Sequence, residues 1–201
     1  MASLGRRGFL LGLVLLAACL PAARAADALD GFADALRWPD KTETAKLEFS
    51  EERTFPFRRF PKRFDGQMYR APDGMLAIVY GAPANIRLVI EGDKILYDKG
   101  DGKLQPLPTD GADARAISDL LRGDIERLKA DWNSSLENGA LRLTPTLEPI
   151  ANEIKYIEVT TDHGRVQTVE VHQKNQVVRK YDFGELTWID GAAAAAPFAA
   201  Q

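Results

Sequence analysis

Two histidines, one cysteine and the four serines beyond the first 25 residues are the side chains that could ligate a metal or act as nucleophiles. Neither His163 nor His172 has a second histidine or a cysteine at the short spacing that builds a metal site, so both read as surface histidines and no metal is expected. Ser50, Ser118, Ser134 and Ser135 lack the glycine-flanked turn that presents a nucleophilic serine, and Gly100-Asp101-Gly102 is too little to cradle a phosphate. Carboxylates are plentiful, but most sit where alternating strands turn a wet face to solvent. The expectation is a protein that is not an enzyme and needs no cofactor, against which stands only a catalytic set scattered along the chain.

The single cysteine, Cys19, permits a different chemistry. Leu16-Ala17-Ala18-Cys19 resembles a bacterial lipobox, and lipidation there would anchor the chain. The competing reading starts from Arg6 and Arg7, which precede an apolar run, Phe9 to Leu20, too short to span a bilayer. Pro21 ends that run and Ala23-Arg24-Ala25 offers small residues to a leader peptidase. Residues 1–25 are therefore expected to be a cleaved export signal, with the periplasm as destination and Cys19 discarded with the leader. Arg6-Arg7-Gly8-Phe9-Leu10-Leu11 also resembles a twin-arginine signal. One cysteine permits no internal disulfide, so stability must come from packing.

Loss of three basic residues (Arg6, Arg7, Arg24) from 26 leaves 23 against 29 acidic, a net charge of −6. Such a chain is a poor nucleic-acid binder and would not sit on an anionic membrane by overall charge. The one basic patch is Arg58, Arg59, Lys62 and Arg63, with Phe57 and Phe60 among them. It reads as a solvated loop with two anchoring phenylalanines, or as a contact for a lipid headgroup or a partner at the mouth of an apolar cavity.

The elements that must position these residues are mostly strands. Phe64 to Ala71, Met75 to Tyr80 and Ile86 to Tyr97 (broken at Gly92-Asp93) are short apolar runs. Asp73-Gly74 and Gly92-Asp93 between them mark tight turns. Connections that short impose antiparallel pairing. Parity puts Phe64, Gly66, Met68 and Arg70 on one side of their strand, and Leu76, Ile78 and Tyr80, then Ile86, Leu88 and Ile90, on one side of theirs. Ala45 to Phe55 alternates in the same way, with Leu47 and Phe49 inward. Residues 97–109 are turn-rich.

The period then changes. Ile117, Leu120, Leu121, Ile125, Leu128 and Trp132 fall along one stripe at helical spacing, which Gly123 can split in two. A shorter amphipathic helix is expected over Ala28 to Trp38, stopped by Pro39. Hairpins return at Trp132 to Glu137 and Ala140 to Thr144 around Asn138-Gly139. Glu153 to Thr161 and Arg165 to His172 follow, and Val177 to Phe183 closes the set. From Gly191 the alanine-rich tail is expected to fray. With 201 residues, 45% hydrophobic and 27% charged, the chain suits one domain, residues 26–190, followed by the tail 191–201.

This order of elements, with Gly66-Gln67-Met68-Tyr69-Arg70-Ala71-Pro72, Ile90-Glu91-Gly92-Asp93-Lys94-Ile95-Leu96-Tyr97 and Leu141-Arg142-Leu143-Thr144-Pro145, resembles the outer-membrane lipoprotein carrier (LolA-like) family. The likeness runs from about Ala28 to Phe183. It implies a mainly β fold (α+β), an unclosed antiparallel half-barrel whose concave apolar face is lidded by helices and takes up acyl chains in the periplasm. It also implies an inner-membrane donor and an outer-membrane acceptor as partners. A chain of roughly sixteen carbons buried at about 0.8 kcal/mol per methylene contributes on the order of 12 kcal/mol before association costs. No catalytic group is then needed.

The expected lining is Phe49, Met68, Ile78, Leu88, Ile90, Leu143 and Val169 from the sheet, with Ile117, Leu121, Ile125 and Leu128 from the lid. Arg58, Arg59, Lys62, Arg63 and Arg70 are the expected headgroup or partner contacts. A monomer is expected. The rivals are a lipid-anchored acceptor of the same fold, should Cys19 be lipidated, and a regulatory module that senses lipid or protein.

Overall fold

The computed structural model describes residues 28–39, 41–107, 112–148 and 150–199, the side chains of 112–114 excepted. The expected leader, with its paired arginines and Cys19, lies outside them. Among the described residues eleven strands form one antiparallel sheet. They are β1 (Thr44–Thr54), β2 (Lys62–Arg70), β3 (Leu76–Tyr80), β4 (Arg87–Glu91), β5 (Lys94–Asp98), β6 (Gln105–Pro106), β7 (Trp132–Glu137), β8 (Ala140–Pro145), β9 (Ile154–Asp162), β10 (Arg165–Gln173) and β11 (Val178–Ile189). The order is β6-β5-β4-β3-β2-β1-β11-β10-β9-β8-β7, so β6 and β7 are edges and the barrel stays unclosed, as expected.

The helices are α1 (Ala33–Leu36), α2 (Ala112–Arg122), α3 (Ile125–Asp131), α4 (Ile150–Glu153) and α5 (Gly191–Ala195); residues 28–30 are helical too. Gly123 splits the long stripe as anticipated. At φ +67° it adopts a backbone that favours glycine, and a Cβ there would lie 2.4 Å from the Leu36 carbonyl oxygen. One residue thus ends α2 and lets α1 dock. Asp124 then caps α3, its carboxylate accepting from the Arg127 amide at 3.1 Å.

The apolar stripe of the helices and the inward residues of the sheet form one core. Leu29, Leu36, Ile117, Leu120, Ile125 and Leu128 meet Met68, Ile78, Ile90, Leu143, Ile157 and Val169 in it. Gly66 sits opposite Phe49 across the β1–β2 pair, where a Cβ would fall 2.5 Å from the phenyl ring. The ring lies across that gap, edge-on to Tyr80 at 5.3 Å.

Five sequence expectations need correction. The final strand runs on past Phe183 to Ile189, because Leu186 to Ile189 still pair with Leu47 to Thr44 of β1. β2 begins at Lys62, since Lys62 and Arg63 pair with Arg53 and Glu52. The turn-rich passage holds β6, and α4 lies where no helix was expected. The tail does not fray within the described residues: α5 leads to a buried Pro197, and the Ala199 carbonyl accepts from Arg87 Nη1 at 2.8 Å. Low complexity hid the docking, because alanines lack a pattern that names a face.

Candidate functional site

Ten of the eleven expected lining residues are buried: Phe49, Met68, Ile78, Ile90, Ile117, Leu121, Ile125, Leu128, Leu143 and Val169. Leu88 is half-buried against the same core. The structure therefore brings the set together, but with the lid's side chains seated on the concave face. These residues pack against one another; open space lies at the margins of the lid and, away from the lid, in a cleft of about 670 Å3 over Phe49, Gly66 and Gly184 of the sheet.

The apolar part of that space is a cavity of about 370 Å3 where α1, the end of α2 and one end of the sheet meet. Leu36 and Trp38 come from the first helical segment, Leu120 and Leu121 from α2, and Leu47, Val166, Phe183, Leu186 and Trp188 from β1, β10 and β11. Of the expected lining only Leu121 reaches it. Asp34, Arg37, Lys41 and Arg165 stand among the lining as its charges.

Two tryptophans organise this mouth. Trp38 donates its indole N–H to the Leu121 carbonyl, fastening the segment after α1 to α2. The Arg70 guanidinium lies 5.9 Å from the Trp38 ring centre, so Arg70 meets the lid through an aromatic face. Lys41 lies 4.3 Å from the ring of Trp188. Neither tryptophan stood out in the sequence, since Trp38 ends a helix and Trp188 follows the point where the last strand was expected to stop.

On the other flank of α2 is a polar cavity of about 260 Å3. Arg127 there reaches Asp93 at 3.1 Å, Asp119 at 3.4 Å and Asp131 at 3.6 Å, tying both lid helices to the β4–β5 turn. Burial pushes the Asp119 carboxyl up, partly offset by the Arg127 and Arg122 charges. This is a latch of ion pairs at the lid's edge.

The basic patch stands elsewhere. Arg58 and Arg59 are on the loop after β1, and Lys62 and Arg63 open β2, at the strand end away from Leu47. Thr54 is seven positions along β1 from Leu47, about 23 Å at 3.3 Å per residue. The patch is therefore not at the mouth of this cavity. Nor do its phenylalanines anchor anything: Phe57 is 97% and Phe60 71% exposed.

Beneath that end lies a charge cluster that sequence reasoning missed. Glu51 is buried, and its carboxylate accepts from Arg53 Nε at 2.6 Å and Arg179 Nε at 2.7 Å. Burial alone would raise its pKa, but the hydrogen bonds and charges of Arg53 and Arg179 outweigh it and hold the group at about 2. Parity carried the signal, because Glu51 shares the face of Phe49.

His172 is not a lone surface histidine. It is half-buried, stacked on Tyr156 at 4.3 Å between ring centres, and grouped with Glu158 and Glu170. Arg142 reaches Glu158 at 2.6 Å and Lys180 reaches Glu170 at 3.8 Å, so cations already balance the carboxylates and disfavour a metal ion.

No protein-family model matches the chain, and no curated protein matches it. Solved structures do. A DUF1329 family protein from Desulfovibrio piger aligns over 86% of this chain and 96% of its own at 11% identity and a TM-score of 0.52. A LolA superfamily protein from Nitrosomonas europaea aligns over 85% and 96% at 12% identity and 0.46. A domain of a proposed outer membrane lipoprotein-sorting protein from Vibrio parahaemolyticus aligns over 85% and 94% at 8% identity and 0.48. The Desulfovibrio likeness, above 0.5, carries the comparison, and at 11% identity it speaks to the fold alone. The architecture expected from the sequence, an unclosed antiparallel half-barrel with helices over its apolar face, is the one observed.

Proposed function

We propose that this protein is a periplasmic carrier that takes the acyl chains of a lipid or lipidated molecule under its lid and ferries them between inner and outer membranes. The observation that carries the reading is the apolar cavity at the lid margin, bounded by half-buried Leu47, Val166, Phe183 and Leu186 and reaching the core at Leu121. Its volume of about 370 Å3 lies at the lower end of the range for ligand pockets. A longer chain would enter by displacing the lid's leucines and isoleucines from the concave face. That exchange replaces one apolar contact by another, so lid opening is offset by methylene burial at about 0.8 kcal/mol each. No bond is made or broken, and the ligand leaves unchanged. No described helix is long and apolar enough to cross a membrane. An inner-membrane donor and an outer-membrane acceptor complete the proposal.

Leu121→Glu is a poor test, since Leu121 is both cavity wall and core. Leu186→Glu is better, because Leu186 is half-buried on the cavity wall and stands outside the main core. Delipidated protein should take up a fluorescent fatty acid, and this variant should lose at least about tenfold in affinity while keeping its circular dichroism spectrum. Equal uptake by both proteins, or turnover of a lipid ester, would sink the carrier reading.

A further inference from the structure

The loop between β1 and β2 is the most exposed apolar feature among the described residues. Its backbone turns at Phe55, whose carbonyl accepts from the Arg58 amide at 3.1 Å, which places Pro56 and Phe57 at the tip. Phe57 is 97% exposed and Phe60 71%, and cations stand between and beside them. Arg58 lies 5.6 Å from the Phe55 ring centre and Arg59 5.4 Å from that of Phe60. Among the described residues Arg58, Arg59 and Lys62 have no carboxylate partner, and Arg63 alone of the four is paired, with Glu52 at 3.0 Å.

We infer that residues 55–63 dock the protein on the surface of an anionic phospholipid bilayer, with Phe57 and Phe60 below the headgroups and Arg58, Arg59 and Lys62 among the phosphates. A bilayer asks for an apolar tip ringed by cations and for no matching surface shape, which is what a protruding turn offers. The protein as a whole carries net negative charge, so an anionic surface repels most of it and attracts this end. Docking is thereby oriented, with the cavity mouth at the far end of β1. A protein partner would need a pocket for each phenyl ring. The inference does not depend on what the cavity binds.

The test is flotation of the purified protein with vesicles of phosphatidylcholine alone or with about one third phosphatidylglycerol, at low and high salt. Wild-type protein should float with the anionic vesicles only, at low salt. The pair Phe57→Ser/Phe60→Ser and the pair Arg58→Glu/Arg59→Glu should each cost at least about tenfold in partitioning. In a Phe57→Trp variant, emission from the introduced indole should shift to the blue on the same vesicles. These side chains are exposed, so folding and fatty-acid uptake should stay as in wild type, which separates this result from failure of the carrier reading. No preference for anionic vesicles, an unmoved indole emission in the bound Phe57→Trp variant, or capture of the loop solely by a protein would overturn it.

Discussion

Among single residues, Glu51 joins near-complete burial to two arginine partners, Arg53 and Arg179, 2.6 and 2.7 Å away. Breaking a buried pair leaves uncompensated charge, so Glu51→Gln should lower unfolding free energy by about 3 kcal/mol in denaturant titration. The pH dependence follows from the same group. With a folded pKa near 2 against an ordinary 4.5, its contribution is full above about 4.5 and is lost as pH falls toward 2. Wild-type stability should therefore decline between pH 4.5 and 2 more steeply than that of the Gln variant. Parallel pH curves would show that Glu51 does not govern acid stability.

Among the elements, the lid is held by a break and a latch. Gly123 must keep φ +67° and clear the Leu36 carbonyl. Gly123→Ala adds both backbone strain and a clash, and should cost about 2 kcal/mol, with α1 rather than the sheet losing hydrogen-exchange protection first. Arg127 works differently, since its pairs with Asp93 and Asp131 are at least partly exposed and weak, whereas its third partner, Asp119, is buried. Arg127→Met should cost about 1–3 kcal/mol, chiefly by leaving the buried Asp119 carboxyl short of its main compensating charge, and should speed ligand exchange in stopped-flow measurements because it frees the lid's edge from the β4–β5 turn. Unchanged exchange rates would separate the latch from the lid's motion.

Across the whole molecule, the C-terminal tail closes the outside of the sheet. Arg87 bridges the Asp98 carboxylate at 3.0 Å and the Ala199 carbonyl at 2.8 Å, and Val89 on the same face of β4 is buried. Removing residues 191–201 would strip one partner from a buried guanidinium. A melting-temperature drop of about 2–4 °C is expected for each kcal/mol lost in a chain of this size. Equal melting temperatures would mean that the tail lies on the sheet without holding it. The same arrangement gives the molecule two distinct ends along β1, the apolar cavity near Leu47 and the exposed Phe57 loop beyond Thr54.

The fold class and most of its elements were legible in the amino-acid sequence. Alternation at period two, the helical stripe from Ile117 to Leu128 and turns such as Asn138-Gly139, at φ +52° and +83°, are set by neighbours in the chain. The buried faces could be read for the same reason, which is why Phe49, Met68 and Ile78 of the sheet and Ile117 and Leu128 of the lid were found before any of them was placed. Where space remains was settled by tertiary structure. The cavity joins Trp38, Leu47, Leu121, Val166 and Leu186, and Glu51 finds Arg179 at 128 positions' distance. Periodicity says which side of an element is apolar, but a void or an ion pair depends on which distant side chains arrive opposite, and that is fixed when the sheet curves around the lid.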